Sequence, residues 1–162
     1  MADDDPISIA YRRHAPAVFR RAQQILGNSA DAREVVQDVF LSLFENPAQF
    51  AGLSALTTFL YSMTTHTCLN RLRNQKNRAL LLAENPHAEG RDPAALTAEQ
   101  LLILQRALAT MPDELAQVAV YVCVDGLSHE EIARILSCSR RHVGNLLERV
   151  SEWGKSQEAI PC

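Results

Sequence analysis

Residues 126–153 carry the side chains whose types and spacing best suit recognition of nucleic acid. Gly126 suits a helix end, because glycine accepts the left-handed conformation found there. Ser128 and Glu131 form an S-x-x-E capping box that begins the next helix, and Ser139 can cap a third helix after a short turn. The polar face of this third helix carries Arg140, Arg141, His142, Asn145 and Arg149. Two short helices joined in this way are typical of a DNA-reading helix-turn-helix, although the pattern also fits an ordinary helical hairpin with a solvated face.

Residues 66–80 form a second cationic segment, in the second half of a long helix that the sequence predicts over about residues 54–82. The first half of this helix is apolar, whereas residues 66–80 contain four basic side chains and no acid. The candidate DNA-contacting residues here are Asn70, Arg71, Arg73, Lys76 and Arg78. A basic, amide-rich helix that projects beyond its core partners suits contact with phosphates and bases. A solvated helix end, with cations near its negative pole, is the alternative.

Local start and stop signals predict the helices that must position these side chains. The predicted helices span about residues 5–26, 29–45, 54–82, 97–110, 113–124 and 128–136, followed by the basic helix that begins after residue 139. Pro16 is expected to kink or divide the first helix, and Thr97 with Gln100 forms another capping box. The apolar spacing predicts that Ile9 and Phe44 lie on the buried sides of the first and second helices.

The composition favours an all-helical protein, since 162 residues include only 6 Gly and 7 Pro. The apolar runs are too short for a membrane helix and the N-terminus is acidic, so we expect a soluble, cytoplasmic protein without membrane insertion. The net charge of −3 argues mildly against a nucleic-acid partner. However, charge is sorted by segment: residues 11–30 and 66–80 carry cations without acids, and acids concentrate in residues 31–45.

Residues 83–96 contain two prolines, one glycine and no apolar period, which indicates a linker. We therefore predict an all-α fold with two small helical domains, over residues 8–80 and 97–154. A flexible linker over residues 81–96 is expected to join them.

The four cysteines lie far apart, with no C-x-x-C motif, so no disulfide framework is expected. Cys123 lies in an apolar run and is expected in the core. Cys138 and His142 are four residues apart, but two ligands fall short of a tetrahedral metal site. A redox or metal-sensing role for Cys68, Cys138 or Cys162 is left open. The chain has no glycine-rich phosphate loop, H-E-x-x-H or G-x-S-x-G motif, so we expect no enzyme activity, no metal and no cofactor.

Three segments resemble, in order, the extracytoplasmic-function (ECF) sigma factors of bacterial RNA polymerase. ADAREVVQDVFLSLF, residues 30–44, resembles region 2.2 of that family, which docks on the polymerase clamp. Residues 50–78 resemble regions 2.3 and 2.4, which melt and read the −10 promoter element. Residues 111–150 resemble region 4, which reads the −35 element. The resemblance covers about residues 8–153 and implies a region 2-like bundle followed by a region 4-like helix-turn-helix.

The resemblance also implies roles for individual residues. Those implied to bind the polymerase are Glu34, Gln37, Asp38 and Phe40, a polar patch beside an exposed edge of Val39 and Phe40. Those implied to capture an unstacked −10 base are Phe50, Gly52 and Ser54, followed by the cationic helix of residues 66–80. In the recognition helix, Gly144 replaces a basic residue common in the family, and it lowers helix propensity by roughly 1 kcal/mol.

The expected function is therefore that of a sigma factor, with RNA polymerase core (the clamp helices of its largest subunit) and promoter DNA as partners. An anti-sigma factor is a common further partner in the family. Three alternatives stay open on the sequence. They are an autonomous helix-turn-helix regulator that does not melt DNA, a sigma-like adaptor that acts only through proteins, and a small metal or redox sensor.

Overall fold

Seven helices make up most of the computed structural model, which describes residues 5–47, 53–79 and 96–157. For residues 53–55 and 76–79 only the backbone is described. The helices are α1 (Pro6–Leu26), α2 (Ser29–Glu45), α3 (Leu53–Ala79), α4 (Ala98–Thr110), α5 (Asp113–Cys123), α6 (His129–Leu136) and α7 (Arg140–Ser156). The described part of the chain contains no strand, and the all-α prediction is confirmed. None of its helices combines the length and apolar character that a bilayer crossing requires.

The N-terminal helices begin and end where local signals predict. Gly27 ends α1 in the left-handed conformation, with φ 69°, and the Asn28 side chain accepts hydrogen bonds from the first amides of α2. Pro6 occupies the first turn of α1, although the Asp5 side chain makes no capping hydrogen bond. Pro16 lies inside α1, which runs past it as one helix, so the expected division there is wrong. Packing of α1 on α2 and α3 supplies the stability that a lost helical hydrogen bond removes.

The C-terminal helices confirm both predicted capping boxes. Thr97 and Gln100 exchange hydrogen bonds at the start of α4, and Ser128 and Glu131 do the same at the start of α6. The hydroxyl of Ser139 accepts a hydrogen bond of 3.1 Å from the His142 amide at the start of α7. The Ser139 cap, two residues after Ser137 ends α6 in the left-handed conformation, fixes where α7 begins.

Buried apolar residues from both halves of the chain form one large cluster. Its members from α1, α2 and α3 include Ile25, Val35, Val39, Leu43 and Leu69, and its members from α4, α5 and α7 include Leu108, Leu115, Val118, Val120 and Leu146. A smaller cluster of Tyr121, Ile132, Ala133 and Val143 joins α5, α6 and α7. The predicted linker falls almost entirely outside the described residues. The helices before it (α1–α3) and after it (α4–α7), here called the two helical bodies, pack against each other.

Three residues expected in the core are exposed instead. Ile9 near the start of α1 is 51% exposed, and Phe44 near the end of α2 is 63% exposed. Cys123, the last residue of α5, is also exposed. Each lies in the first or last turn of its helix, where fewer neighbouring helices are available to cover it. An apolar residue type alone therefore overstated burial at helix ends.

Two glycines offer a matched test of backbone conformation. Gly126 has φ +63°, whereas Gly144 lies inside α7, and a Cβ added at either would meet nothing within 4 Å. We expect Gly126→Ala to lower the free energy of unfolding by about 1 kcal/mol, because the left-handed conformation disfavours a side chain. We expect Gly144→Ala to raise it by about 0.5–1 kcal/mol through helix propensity. Urea denaturation of both variants checks the opposite signs, and a shift of equal sign in both would contradict this reasoning.

Candidate functional site

Helix α7, the predicted recognition helix, presents its polar residues to solvent. Val143 and Leu146 point inward and are almost fully buried, which fixes the rotation of the helix about its axis. The five candidate DNA-contacting residues of α7, all exposed, are Arg140, Arg141, His142, Asn145 and Arg149. The three nearest the N-terminus therefore lie in the first turn of α7, the part of a recognition helix that reaches base edges in the major groove.

Glu114 of α5 contacts the same helix. Its carboxylate oxygens lie 3.5 Å from His142 Nε2 and 3.5 Å from Arg149 Nη1. All three side chains are about half exposed, so solvent screens these pairs and each contributes no more than about 1 kcal/mol. Glu114 therefore holds His142 and Arg149 only weakly.

The cationic half of α3 is only partly free to meet DNA. Asn70 and Asn74 are exposed, whereas Leu69 and Leu72 are buried. Arg73 is half-buried, and its Nη2 donates a hydrogen bond of 3.0 Å to Asp113 at the start of α5. The side chains of Lys76 and Arg78 fall outside the described residues. So do Phe50 and Gly52 of the predicted base-capturing loop, and Ser54 is described only as backbone within α3.

Asp113 is a meeting point between α3 and α5. Its Oδ1 accepts a hydrogen bond from Arg73, and its Oδ2 accepts one from Gln117. His66 Nδ1 lies 3.8 Å from Oδ2. Burial alone would raise the pKa of Asp113, but the hydrogen bonds from Arg73 and Gln117 and the nearby positive charge hold that pKa below its ordinary value. A residue of the second helical body thus neutralises a candidate DNA-contacting cation of the first.

Arg71 is surrounded by the acids of α2. Its Nη1 lies 2.7 Å from Glu34 Oε2 and 3.7 Å from Asp31 Oδ1, and its Nη2 donates a hydrogen bond of 3.1 Å to Asp38 Oδ2. Burial alone would lower the pKa of Arg71, but its hydrogen bonds to Asp38 and Glu34 outweigh burial and raise that pKa. The structure brings together two predicted sets, since Arg71 was expected on DNA and Glu34 and Asp38 on the polymerase.

The exposed apolar surface of α2 differs from the expected one. Val39 and Phe40 are buried, and the Phe40 ring packs edge-on against Tyr11 at a centroid distance of 5.0 Å. The expectation of an exposed Phe40 edge is therefore wrong. Leu41 and Phe44 are 56% and 63% exposed instead.

Leu41 and Phe44 follow Gln37 at the helical spacing of four and then three residues, so these residues share one stripe of α2. Glu34 and Asp38, also exposed, flank this stripe. This spacing was visible in the sequence. The sequence prediction instead placed Phe44 on the buried side of α2 and gave Leu41 no role.

The cysteines offer no metal site in the described part of the chain, where no group of three or more His, Cys, Asp or Glu side chains could hold an ion. Cys138 is partly buried, and Cys162 lies outside the described residues. Cys68 is fully buried, and burial raises the pKa of its thiol to about 12. Its thiolate, the reactive form, is therefore almost absent at neutral pH.

We expect iodoacetamide at pH 8 to modify Cys123 in the folded protein and to leave Cys68 unmodified, because Cys123 is exposed and the Cys68 thiol is buried and protonated. Peptide mass mapping after a short exposure measures both sites. Alkylation in denaturant, where both thiols should react, is the control. Rapid native-state modification of Cys68 would contradict the described packing of α3.

Comparison with known proteins adds sequence evidence to this geometry. The family profile Sigma-70 region 2 matches residues 10–78, and Sigma-70, region 4 matches residues 101–152. The ECF RNA polymerase sigma-E factor of Escherichia coli is 30% identical over 145 residues, which cover 82% of this chain and 73% of that protein. The ECF RNA polymerase sigma factor SigM of Mycobacterium tuberculosis is 29% identical over 126 residues, or 78% of this chain, and the match spans 63% of SigM's length.

A solved structure is also similar. The sigma factor RpoE of Bartonella quintana, in a co-crystal with the anti-sigma factor NepR, matches 94% of this chain and 97% of its own, with a TM-score of 0.50 and 16% identity. At that identity the likeness supports the fold alone.

Proposed function

The chain belongs to the ECF sigma factors of the sigma-70 family, and on that premise we propose that it directs RNA polymerase core to specific promoters and assists promoter melting. The observation that carries this proposal is the match of both sigma regions, in order, over residues 10–78 and 101–152. The protein acts as a non-catalytic initiation factor in the cytoplasm. An anti-sigma factor, the class of protein bound to the Bartonella quintana relative, is a further proposed partner.

The stripe on α2 is the proposed polymerase-docking surface. It combines the exposed apolar side chains of Leu41 and Phe44 with Glu34, Gln37 and Asp38. Carboxylates around an apolar centre complement a basic partner helix, which steers association and fixes its register. The proposed partner element is the clamp helices of the largest polymerase subunit. Phe40 is buried beneath this surface and packs against Tyr11, which ties α2 to α1 at this point.

The proposed DNA contacts fall into two groups. Asn70 and Arg73 of α3, with Lys76 and Arg78, face the −10 element, where Phe50, Gly52 and Ser54 capture an unstacked base. Unstacking costs a few kcal/mol, which contacts to the extruded base can offset. The second group lies on α7 and reads the −35 element with Arg140, Arg141, His142, Asn145 and Arg149.

Arg71 is best explained as a positioning residue for the docking surface. Its guanidinium holds Glu34 and Asp38, which would otherwise repel each other and Asp31. We expect Arg71→Ala to weaken binding to polymerase core by about fivefold, a change consistent with the loss of partly exposed ion pairs. Arg71→Lys should restore part of the affinity, because it keeps the charge but not the two terminal nitrogens that reach Glu34 and Asp38 separately.

The matched control for Arg71 is Asn70→Ala, the exposed neighbour on α3. It should leave core binding unchanged and reduce promoter opening, measured with a fluorescent base at the −10 element. Fluorescence anisotropy with labelled core measures the affinities. If Arg71→Ala reduces opening while core affinity is unchanged, Arg71 contacts DNA directly and the positioning role is wrong.

The salt dependence of promoter binding tests the role of α7. Each lost phosphate contact reduces the slope of log affinity against log salt by about 1. We expect the holoenzyme with Arg140→Ala and Arg141→Ala together to bind a promoter more weakly, with a slope lower by about 2. Lys155→Ala is the control, since Lys155 lies in the last turn of α7, about 22 Å away along the axis.

Transcription with purified core distinguishes the proposed function from its rivals. A sigma factor supports promoter-specific initiation by core. An autonomous helix-turn-helix regulator binds DNA without core and supports no initiation. An adaptor that acts only through proteins binds core but loses nothing when Arg73, Arg140 and Arg141 are replaced by alanine.

A further inference from the structure

A buried ion pair joins the two helical bodies. Arg21 of α1 donates hydrogen bonds from Nε to Asp125 Oδ1 at 2.9 Å and from Nη2 to Asp125 Oδ2 at 2.7 Å. The residues lie 104 positions apart in the chain, and their side chains are only 8% and 6% exposed. This two-pronged geometry is the strongest form of arginine–carboxylate contact.

The Arg21 guanidinium also contacts residues of both bodies besides Asp125. Its Nη1 donates a hydrogen bond of 3.0 Å to the carbonyl oxygen of Tyr61 on α3. Its central carbon lies 4.6 Å from the Tyr61 ring centroid and 5.4 Å from that of Tyr121 on α5, within range of cation–π attraction. Removing Asp125 from this place would leave a buried cation without its counter-charge, which is strongly unfavourable.

The turn that carries Asp125 is itself fixed. The Asp125 amide donates to the Val120 carbonyl at 3.2 Å, and the Leu127 amide donates to the Tyr121 carbonyl at 3.0 Å. Gly126, with φ 63°, allows the chain to reverse between them. The carboxylate of Asp125 is thus held on a rigid turn directly after α5, rather than on a loose loop.

Two further polar contacts cross between the bodies. Gln105 of α4 donates hydrogen bonds of 2.9 Å to the carbonyl oxygens of Ile25 and Leu26, which lie in the last turn of α1 and have no helical partners of their own. Asp113 of α5 makes the second, because it accepts a hydrogen bond from Arg73 and lies 3.8 Å from His66 Nδ1, both on α3. In the closed arrangement, Arg73, which is proposed to contact the −10 element, is therefore bound to Asp113 instead.

A closed chain of this size is too short to bind both promoter elements at once. The −10 and −35 elements lie about 25 base pairs apart, which is about 85 Å along the DNA at about 3.4 Å per base pair. A packed chain of 162 residues has a radius of gyration of about 15 Å, hence a diameter of about 40 Å. The two bodies must separate before α3 and α7 engage their proposed sites.

We propose that Arg21 and Asp125 form a latch that holds the free protein closed, and that the latch opens before polymerase and promoter are engaged. The opening step rests on the proposed function, whereas the closed state is a property of the free chain. The closed state can therefore be tested without polymerase or DNA.

Small-angle X-ray scattering of the free full-length chain tests the latch. The wild type should have a radius of gyration of about 15 Å. Asp125→Asn and Arg21→Gln should each raise it to about 20 Å, the value expected when the two bodies no longer pack against each other. Glu130→Gln, which removes an exposed acid from α6, is the control and should scatter like the wild type.

The double variant Arg21→Gln/Asp125→Asn keeps the test decisive if a single variant fails to fold, because it leaves no unpaired buried charge. It should open no further than either single variant, since all three remove the same interaction. Circular dichroism should show unchanged helix content in every variant. An already extended wild type, or a double variant as closed as the wild type, would overturn the latch.

Association with polymerase core tests the opening step. The opened variants should bind core several-fold faster than the wild type, and the assembled holoenzymes should initiate at equal levels. Equal association rates for open and closed chains would overturn the opening step. If no variant binds core at all, the proposed function fails, whereas scattering still decides whether the latch closes the free chain.

Discussion

A single buried cation constrains how the two halves of this molecule fit together. An arginine with 8% of its side chain exposed needs a counter-charge, hydrogen-bond acceptors and polarisable neighbours, and no single helix supplies all three. Arg21 obtains them from the turn after α5, from the backbone of α3 and from two tyrosine rings. Apolar packing between the halves is tolerant of small shifts, whereas this set of directional contacts permits one arrangement.

Charge that is sorted along the sequence is paired in the folded chain. Residues 11–30 and 66–80 hold cations without acids, and residues 31–45 concentrate acids. Folding brings these segments together, so that Arg71 meets three carboxylates of α2. The net charge of −3 therefore conceals a partly exposed cluster in which Arg71 is neutralised by the acids of α2, while the basic residues of α7 lie exposed on another helix.

Features set by neighbouring residues could be predicted from the sequence, and features set by distant ones could not. Both capping boxes and the left-handed Gly126 depend on three or four consecutive residues, and all were confirmed. The burial of Phe40 and the exposure of Phe44 depend on which side of α2 faces α1 and α3, although their residue types are identical. The Arg21–Asp125 pair was invisible because no local pattern links positions 104 residues apart.

The candidate site divides in the same way. The polar residues of α7 followed from helical spacing, because a helix-turn-helix packs its apolar side by local rules. The partners of Arg71 and Arg73 required knowledge of how α3 lies against α2 and α5. For both arginines, the cationic segment predicted contact with DNA, whereas in the folded chain each is bound to acidic side chains.

The latch also governs how the amount of this protein would translate into transcription. When only an open minority can bind, the apparent dissociation constant equals the intrinsic one divided by the open fraction, so a chain that is open one part in five binds about fivefold more weakly. Most molecules would then form a dormant reserve, and any influence that relaxes the hold of Asp125 on Arg21 would raise output without new synthesis. The ion pair would thereby set the gain of the response.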